Sequence, residues 1–304
     1  MTSSLQPGSE AWLQLVTASK VSAILGLSPY ESPRSLWHKM RGDIPAQPQT
    51  RVQARGTYLE AGILNWFFAD HPEYVSRHGR EQTVTRDDLP WAAATPDDIA
   101  TTDDGERVPV DAKTAARDAR GADETVGWGK PGTDQVPLHL ITQAMWVMHL
   151  GGFRRFIFTR LGPFLDRADY QVAYNEALAA DIEDRCRAFH QSLTDGPPPD
   201  LDGTAETYAA LRAVSPVGEG PWECPDGLAR DLCQARADTA DAEARYNLAR
   251  SRVLDAMGDA KQVVWRGYVL GQKQRTKNGA ALYPPRTDIP LSMFATPDAP
   301  EATE

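Results

Sequence analysis

Thr95-Pro96-Asp97-Asp98, and ten residues later Val108-Pro109-Val110-Asp111-Ala112-Lys113, are the two runs on which the reading of this chain turns. Asp111 and Lys113 stand two apart in an apolar, β-capable run, so on one strand both side chains project to the same face. Residues 101–107, with Asp104-Gly105 inside them, read as a hairpin loop. That return would bring Asp97, on the preceding strand, to the same place. A lysine beside a carboxylate can orient a water or help to deprotonate it. Carboxylates with open positions around them suit Mg²⁺, with Mn²⁺ as an alternative, because hard cations keep waters and bind phosphate. Such a site can activate water and neutralise charge developing on a phosphodiester. The competing reading of the same residues is a solvated acidic hairpin with a surface lysine.

The chain carries its own decoys. Asp259-Ala260-Lys261 repeats the tripeptide, and Pro225-Asp226 and Pro297-Asp298 repeat the Pro-Asp pair. A long helical stretch separates Asp226 from Asp259, so no hairpin joins them. Only the set between Asp97 and Lys113 falls in adjacent expected strands.

Working outward, residues 11–40 read as helical, broken at Gly26-Leu27-Ser28-Pro29 and reopened by Pro33. Residues 51–69 form a helix with Leu59, Ile63, Trp66 and Phe67 on its apolar face. The period then changes to short β-capable runs at 82–85, 91–94 and 108–112. These are expected to pair in one sheet flanked by the helices around Glu60 and Gln143. A helix over 138–150 ends at Gly151-Gly152, strands follow at 153–159 and 170–174, and a helix runs over 176–193. Residues 196–225, rich in Pro, Gly and Asp, read as a linker. Residues 226–290 read as a helical extension, with a strand at 263–270 and a basic turn at Lys273, Arg275 and Lys277. Residues 291–304 read as a disordered tail. The order is mixed α/β.

Composition narrows the function. The 304 residues have 41% apolar content and a net charge of −10, with acid crowded at Asp97, Asp98, Asp103, Asp104 and Glu106. That balance argues mildly against nucleic-acid binding, since DNA binders usually show a basic patch, though not always a basic total. Three scattered cysteines, Cys186, Cys224 and Cys233, fit a reduced, cytosolic setting and exclude four-cysteine metal sites. Polar residues at the N-terminus suggest no secretory leader, and no apolar run approaches a membrane span. His139 and His149 share a helix with apolar neighbours and read as structural. Trp37, Trp66 and Trp146 read as core, whereas Trp128, in Gly127-Trp128-Gly129-Lys130, is the best candidate for stacking on a base.

Several motifs then carry a resemblance. Val16-Thr17-Ala18-Ser19 is followed by Ile24-Leu25-Gly26-Leu27-Ser28-Pro29-Tyr30, Leu36-Trp37 and Arg55-Gly56-Thr57-Tyr58-Leu59-Glu60. Next come Thr95-Pro96-Asp97, Asp111-Ala112-Lys113 and Gln143-Ala144-Met145-Trp146. In this order, over residues 12–160, they resemble the YqaJ-like viral recombinases and phage lambda-type exonucleases of the PD-(D/E)XK nuclease superfamily. The resemblance implies a nuclease domain over residues 1–195 and a Mg²⁺-dependent 5′-to-3′ exonuclease chemistry on double-stranded DNA ends in the host cytosol. It further implies a single-strand annealing protein as partner and a homotrimer around DNA.

Carried over by position, Asp97, Asp111 and the Ala112 carbonyl would hold the metal, and Lys113 would position the attacking water. Glu60 would assist the metal, Gln143 would orient the site, and Ser19 and Arg55 would contact phosphate. Asp111 stands where these exonucleases usually have glutamate, Asp98 where they have glycine, and Trp12 where the lambda type has a phosphate-gripping arginine. The missing arginine leaves Lys20 or Arg55 to replace it. A related endonuclease and a non-catalytic DNA-end-binding protein are the other two readings of the same pattern.

Overall fold

The computed structural model describes residues 10–45, 50–76, 83–115, 126–277 and 279–283, with the side chains of residues 10 and 11 left aside. The tail beyond 283 and Gln82 lie outside them. The chain divides into two units, one of residues 1–117 and 123–216, the other of 118–122 and 217–304. Among the described residues no helix is long and apolar enough to cross a membrane.

The first unit opens with α1 (Glu10–Gln14), β1 (Val16–Thr17), α2 (Ala18–Ile24) and α3 (Pro33–Met40). The long helix α4 (Arg51–Asp70) follows. Its start is set by a capping box, with Thr50 Oγ1 accepting from the Gln53 N–H and the Gln53 side chain accepting from the Thr50 N–H. Next come β2 (Tyr74–Ser76), β3 (Ala92–Ala93), β4 (Asp98–Thr102) and β5 (Arg107–Thr114). After α5 (Leu138–Gly151), β6 (Arg155–Leu161) and β7 (Arg167–Ala173) complete a five-stranded sheet ordered β2-β4-β5-β6-β7. The β5–β6 pair, joined through α5, is parallel; the other pairs are antiparallel, so the sheet is mixed.

Opposite faces of this sheet bury against different helices. Leu64 and Phe67 of α4 pack on Val108, Val110 and Ile157. Trp146 of α5 lies in the larger core with Phe156, Phe158 and Tyr170. The end of α5 needs its glycines: Gly152 sits at φ 68°, and a Cβ on Gly151 would fall 2.0 Å from the Phe153 ring.

The expected single sheet is corrected in its membership. Residues 92–93 pair in parallel with β1, not with β4 or β5, and Val84 forms one isolated bridge to Ala94. The strand preceding the hairpin is Asp98–Thr102, whose last two residues the sequence assigns to the loop over 101–107. Its polar residues Asp98 and Thr101 are buried, so tertiary pairing overrides their weak strand preference. The turn closes with Thr102 Oγ1 accepting from the Glu106 N–H at 3.0 Å and Gly105 at φ 87°. On α4 the buried face is Ile63, Leu64 and Phe67, while Leu59 and Trp66 are exposed.

Beyond β7, α6 (Glu176–Asp195) packs on α5. Residues 205–214, inside the stretch read as linker, form α7 (Ala205–Val214), which packs on α3. Thr204 caps it, and its Thr207 Oγ1 meets Ser32 Oγ at 2.7 Å.

The second unit is not helical alone. The helix α8 (Asp226–Ala256) is followed by an antiparallel sheet of β8 (Gln262–Trp265), β9 (Tyr268–Thr276) and β10 (Gly279–Tyr283). Lys273 and Arg275 therefore lie on a strand, not in a turn. The decoy Asp259-Ala260-Lys261 precedes β8 and sits on no strand.

Candidate active site

The site forms where β5 runs past the end of β4. Pairing between these strands stops at Asp98↔Val110, and Asp97 turns back over the next two residues of β5. A reciprocal latch holds it there. The Asp97 N–H donates to Asp111 Oδ1 at 3.0 Å, and the Ala112 N–H donates to Asp97 Oδ2 at 2.8 Å. Lys113 Nζ donates to Asp111 Oδ2 at 2.9 Å, and Gln143 Nε2, arriving from α5, donates to the same oxygen at 2.7 Å. Asp97, Asp111, Ala112, Lys113 and Gln143 thus converge through direct hydrogen bonds.

Asp111 is only 1% exposed and accepts three of these bonds, so it is a core residue as well as a polar one. The competing reading of a solvated acidic hairpin does not hold for Asp111. Asp97 is half-buried and its carboxyl lies well above the usual carboxylate range. Burial is the main cause, with repulsion from Asp111 and Glu60 added and Lys113 opposing. Burial lowers the Lys113 pKa, but attraction from Asp111, Asp97 and Glu60 outweighs it and leaves the pKa raised. Lys113 is therefore an ammonium near neutral pH in this arrangement. Glu60, on α4, is placed near the cluster by these interactions with both Asp97 and Lys113.

Strand geometry sorts two further groups. In an extended strand the N–H and C=O of one residue point to the same edge. The Ala112 N–H meets Asp97, so its carbonyl also opens on the Asp97 side and not toward β6. Asp98 pairs directly with Val110, which puts its side chain on the face opposite that of Asp111. It is buried, with Oδ1 unpartnered among the described residues, and it is no substitute ligand for this site.

The donor set consists of the carboxylates of Asp97 and Asp111, the Ala112 carbonyl and the nearby Glu60. All are hard oxygens, clustered with more negative than positive charge, and they fit a divalent cation that keeps waters. Among the described residues no group of three or more His, Cys, Asp and Glu side chains is arranged to hold a metal. A Mg²⁺ site needs no such cage, because one or two carboxylates and the substrate phosphate suffice.

The remaining expected residues are placed as follows. Ser19 is exposed at the start of α2, with Oγ 3.2 Å from Thr17 Oγ1; the β1–β3 pairing ties this segment to the chain that leads into Asp97. Arg55 reaches Thr114 Oγ1 at 3.4 Å, at the end of the strand that carries Lys113. Lys20 is not a spare cation: its ammonium donates to the carbonyls of Leu13 at 2.6 Å and Leu15 at 2.7 Å, and burial brings its pKa down to about 8. Trp128 is not open for stacking on a base; its ring packs 4.7 Å from Tyr170 with Arg160 above it.

Two residues were missed. His139 lies one turn before Gln143 on α5; burial and the charge of Lys113 lower its pKa, which places it toward the site. Its four-residue spacing from Gln143 was the available signal. Arg160 pairs with Lys113 across β5 and β6, so the two side chains share a face. The expected strand stopped one residue short of it.

Residues 10–154 match the family model of the YqaJ-like viral recombinase domain. The matched stretch holds every site residue expected from the sequence, from Ser19 to Gln143, whereas Arg160 and the strands β6 and β7 lie beyond it. Among solved structures, an alkaline exonuclease from Laribacter hongkongensis is 19% identical at TM-score 0.46, over 60% of this chain and 88% of that one. The same exonuclease in complex with dAMP gives 19% identity and TM-score 0.48, over 67% and 94%. A phage-related exonuclease from Haemophilus somnus 129PT is 9% identical at TM-score 0.42, over 59% and 93%. No curated protein matches the chain.

Proposed function

We propose that this chain is a Mg²⁺-dependent DNA exonuclease that resects double-stranded DNA ends for recombination. The observation that carries the proposal is the joining of Asp97, Asp111, Lys113 and Gln143 into one hydrogen-bonded cluster at the end of β4. The YqaJ-like domain supports a recombination-related nuclease. Asp97, Asp111 and the Ala112 carbonyl would hold the cation, with Glu60 assisting; Mn²⁺ satisfies the same donors. When bound, the cation supplies an activated water and neutralises charge on the scissile phosphate. Lys113 orients the water and balances charge as the phosphate is attacked. Gln143 keeps the Asp111 carboxylate in one rotamer. A single-strand annealing protein would receive the exposed strand, in the host cytosol.

The test is an end-labelled linear duplex with Mg²⁺, run beside covalently closed circular DNA. Mononucleotide release from the linear form with the circle intact is the expected result. Cleavage of the circle would make the protein an endonuclease, and cleavage of neither would leave a binding protein.

The metal can also be read from stability. For a carboxyl whose pKa is raised on folding, the stabilising contribution is present below the ordinary carboxylate pKa and is lost as pH rises through the raised value. At neutral pH the metal-free site is thus under charge repulsion that a proton or a cation relieves. Mg²⁺ is expected to raise Tm more at pH 8 than at pH 5. Asp97→Asn should raise the metal-free Tm at neutral pH and remove most of the Mg²⁺ response. Scanning fluorimetry with EDTA and Mg²⁺ arms measures both, and an Asp97→Asn protein that still responds fully to Mg²⁺ would remove Asp97 from the ligand set.

End recognition follows from Trp12 and Lys20. Arginine grips a terminal phosphate bidentately, whereas indole offers one N–H and no charge. Lys20 is engaged with main-chain carbonyls, so of the two candidates Arg55, which reaches Thr114 Oγ1 beside the site, is the one to test. A small preference for 5′-phosphorylated over 5′-hydroxyl ends is expected, lost in Arg55→Ala. Competition between the two end types in one reaction measures it; a strong preference that survives Arg55→Ala would reject the assignment.

A further inference from the structure

The loop from α2 to α3 carries a large side chain into the open: Tyr30 is 66% exposed. A single exposed aromatic residue is ordinary on a protein surface. This one is held in place. Gly26 turns the chain at φ 70°. The N–H groups of Leu27 and Ser28 both donate to the Ser22 carbonyl, at 2.8 and 3.1 Å, and Ser28 Oγ accepts from the Tyr30 N–H at 3.1 Å. Pro29 restricts the backbone just before the ring.

The ring is also tied to the candidate site. Tyr30 and His139 stand perpendicular, at 87°, with ring centroids 6.0 Å apart. His139 is half-buried on α5, one turn before Gln143, whose amide holds Asp111. It also feels the charge of Lys113. Tyr30, His139 and the cluster of Lys113, Asp111 and Gln143 thus follow one another from solvent into the site. A perpendicular neighbour covers at most one face of the Tyr30 ring, and much of the ring stays open. Glu31, next in the chain, is ion-paired with Lys39, so its charge does not stand alone against a phosphate. Two other aromatic candidates are set aside by geometry. Trp128 packs on Tyr170. Tyr58, two residues before Glu60 on α4, points about 200° around the helix from it.

We propose that Tyr30 stacks on the base of the terminal nucleotide while the phosphodiester joining it to the next lies at the cluster, with His139 bracing the ring. The inference rests on the exonuclease reading of the site. An exonuclease takes every base in turn, and an aromatic face suits that task. Stacking tolerates all four bases, because each has a π-face. A cation and Lys113 grip a phosphate alike wherever it stands in the strand. A seat for one base beside them distinguishes the end. A terminal base is stacked on one side only, so it leaves the duplex at lower cost than an internal one. Tyr30 therefore takes the stacking role that the sequence assigned to Trp128, and it takes it at the mouth of the site.

The test uses duplexes carrying 2-aminopurine, a fluorescent base whose emission falls on stacking, at either the 5′ or the 3′ terminal position. The full chain is added to saturation with Ca²⁺ in place of Mg²⁺, so the readout does not depend on turnover. At one of the two ends the Tyr30→Ala complex should emit more brightly than the wild-type and Tyr30→Phe complexes. Under Mg²⁺, Tyr30→Ala should lower kcat/KM about tenfold on an ordinary end, and Tyr30→Phe should stay near wild type. On an end whose terminal nucleotide lacks its base, Tyr30→Ala and wild type should be equal. Equal emission from all three proteins at both ends overturns the proposal. So does a Tyr30→Ala loss that is the same on ordinary and abasic ends, which would mark a structural role. A wild-type protein that releases no nucleotide would defeat the exonuclease reading instead, and the emission comparison would still decide whether Tyr30 meets the terminal base.

Discussion

Asp111→Asn is expected to abolish Mg²⁺-dependent cleavage, the largest single effect the site should show. The carboxylate is the point on which the cluster closes. Oδ1 accepts the Asp97 N–H, and Oδ2 accepts both Lys113 and Gln143. Replacing it by an amide removes the charge that a divalent cation needs. It also turns one acceptor into a donor facing the Lys113 ammonium or the Asp97 N–H. Rate loss should exceed the ~10²–10⁴-fold of a lost proton-transfer group, because metal binding and lysine placement fail together. Asp111→Ala is the poorer experiment. At 1% exposure its loss leaves three half-buried donors without their acceptor, at about 1–3 kcal/mol each if unrelieved. Inactivity of that variant could be unfolding. The decisive measurement is single-turnover cleavage by Asp111→Asn with Tm recorded on the same sample. Activity near that of the parent, at an unchanged Tm, would move the metal away from Asp111.

What the sequence made legible depended on how local the signal was. Asp111 and Lys113 were readable because a strand puts residues two apart on one face, whatever surrounds it. Asp97 was expected beside Asp111 and lies there, but next to a strand other than the one expected. The run of small residues at 92–94 has the look of a β-segment, whereas Asp98-Ile99-Ala100-Thr101-Thr102 does not, and it became β4 only through pairing with β5. Gln143 and Glu60 could not be found from spacing. They come from helices far away in sequence, and only the resemblance pointed to them. His139 was visible as a helical neighbour of Gln143 but was discounted because its other neighbours are apolar.

The same reasoning explains the misses outside the site. The stretch 196–225 has the composition of a linker, and its prolines and glycines outweighed the short α7 within it. Helix α8 was legible as a helix because alanine and arginine favour one. In the second unit only 263–270 carried a strand signal; the rest of β9, Gln272-Lys273-Gln274-Arg275-Thr276, is polar throughout and reads as a turn until β8 and β10 pair with it.

Lys113→Ala should lower turnover by ~10²–10⁴-fold while changing DNA affinity little. The two readouts separate two roles that one lysine can play. As a phosphate contact it would be one cation among several. Its loss would weaken binding across all sequences and reduce the salt slope of log Kd by about 0.9. As the residue that orients the attacking water it would leave that slope almost unchanged and slow the chemical step. The geometry favours the second role. Lys113 Nζ is anchored 2.9 Å from Asp111 Oδ2, its side chain is 24% exposed, and its charge is held by Asp111, Asp97 and Glu60. A group held so firmly by carboxylates contributes little to long-range attraction of DNA but sits at the reacting phosphate when a cation is bound beside it. Removing it should leave the fold intact, because Asp111 keeps the Asp97 N–H and Gln143 as donors. Lys113→Arg would not rescue the rate, since a planar guanidinium grips Asp111 bidentately and offers its donors in a different fork. Single-turnover rates and Kd measured across a salt series on the same duplex decide the matter. A normal rate with a salt slope reduced by a full contact would make Lys113 a phosphate contact, and Arg160, its neighbour across β6, the next residue to test.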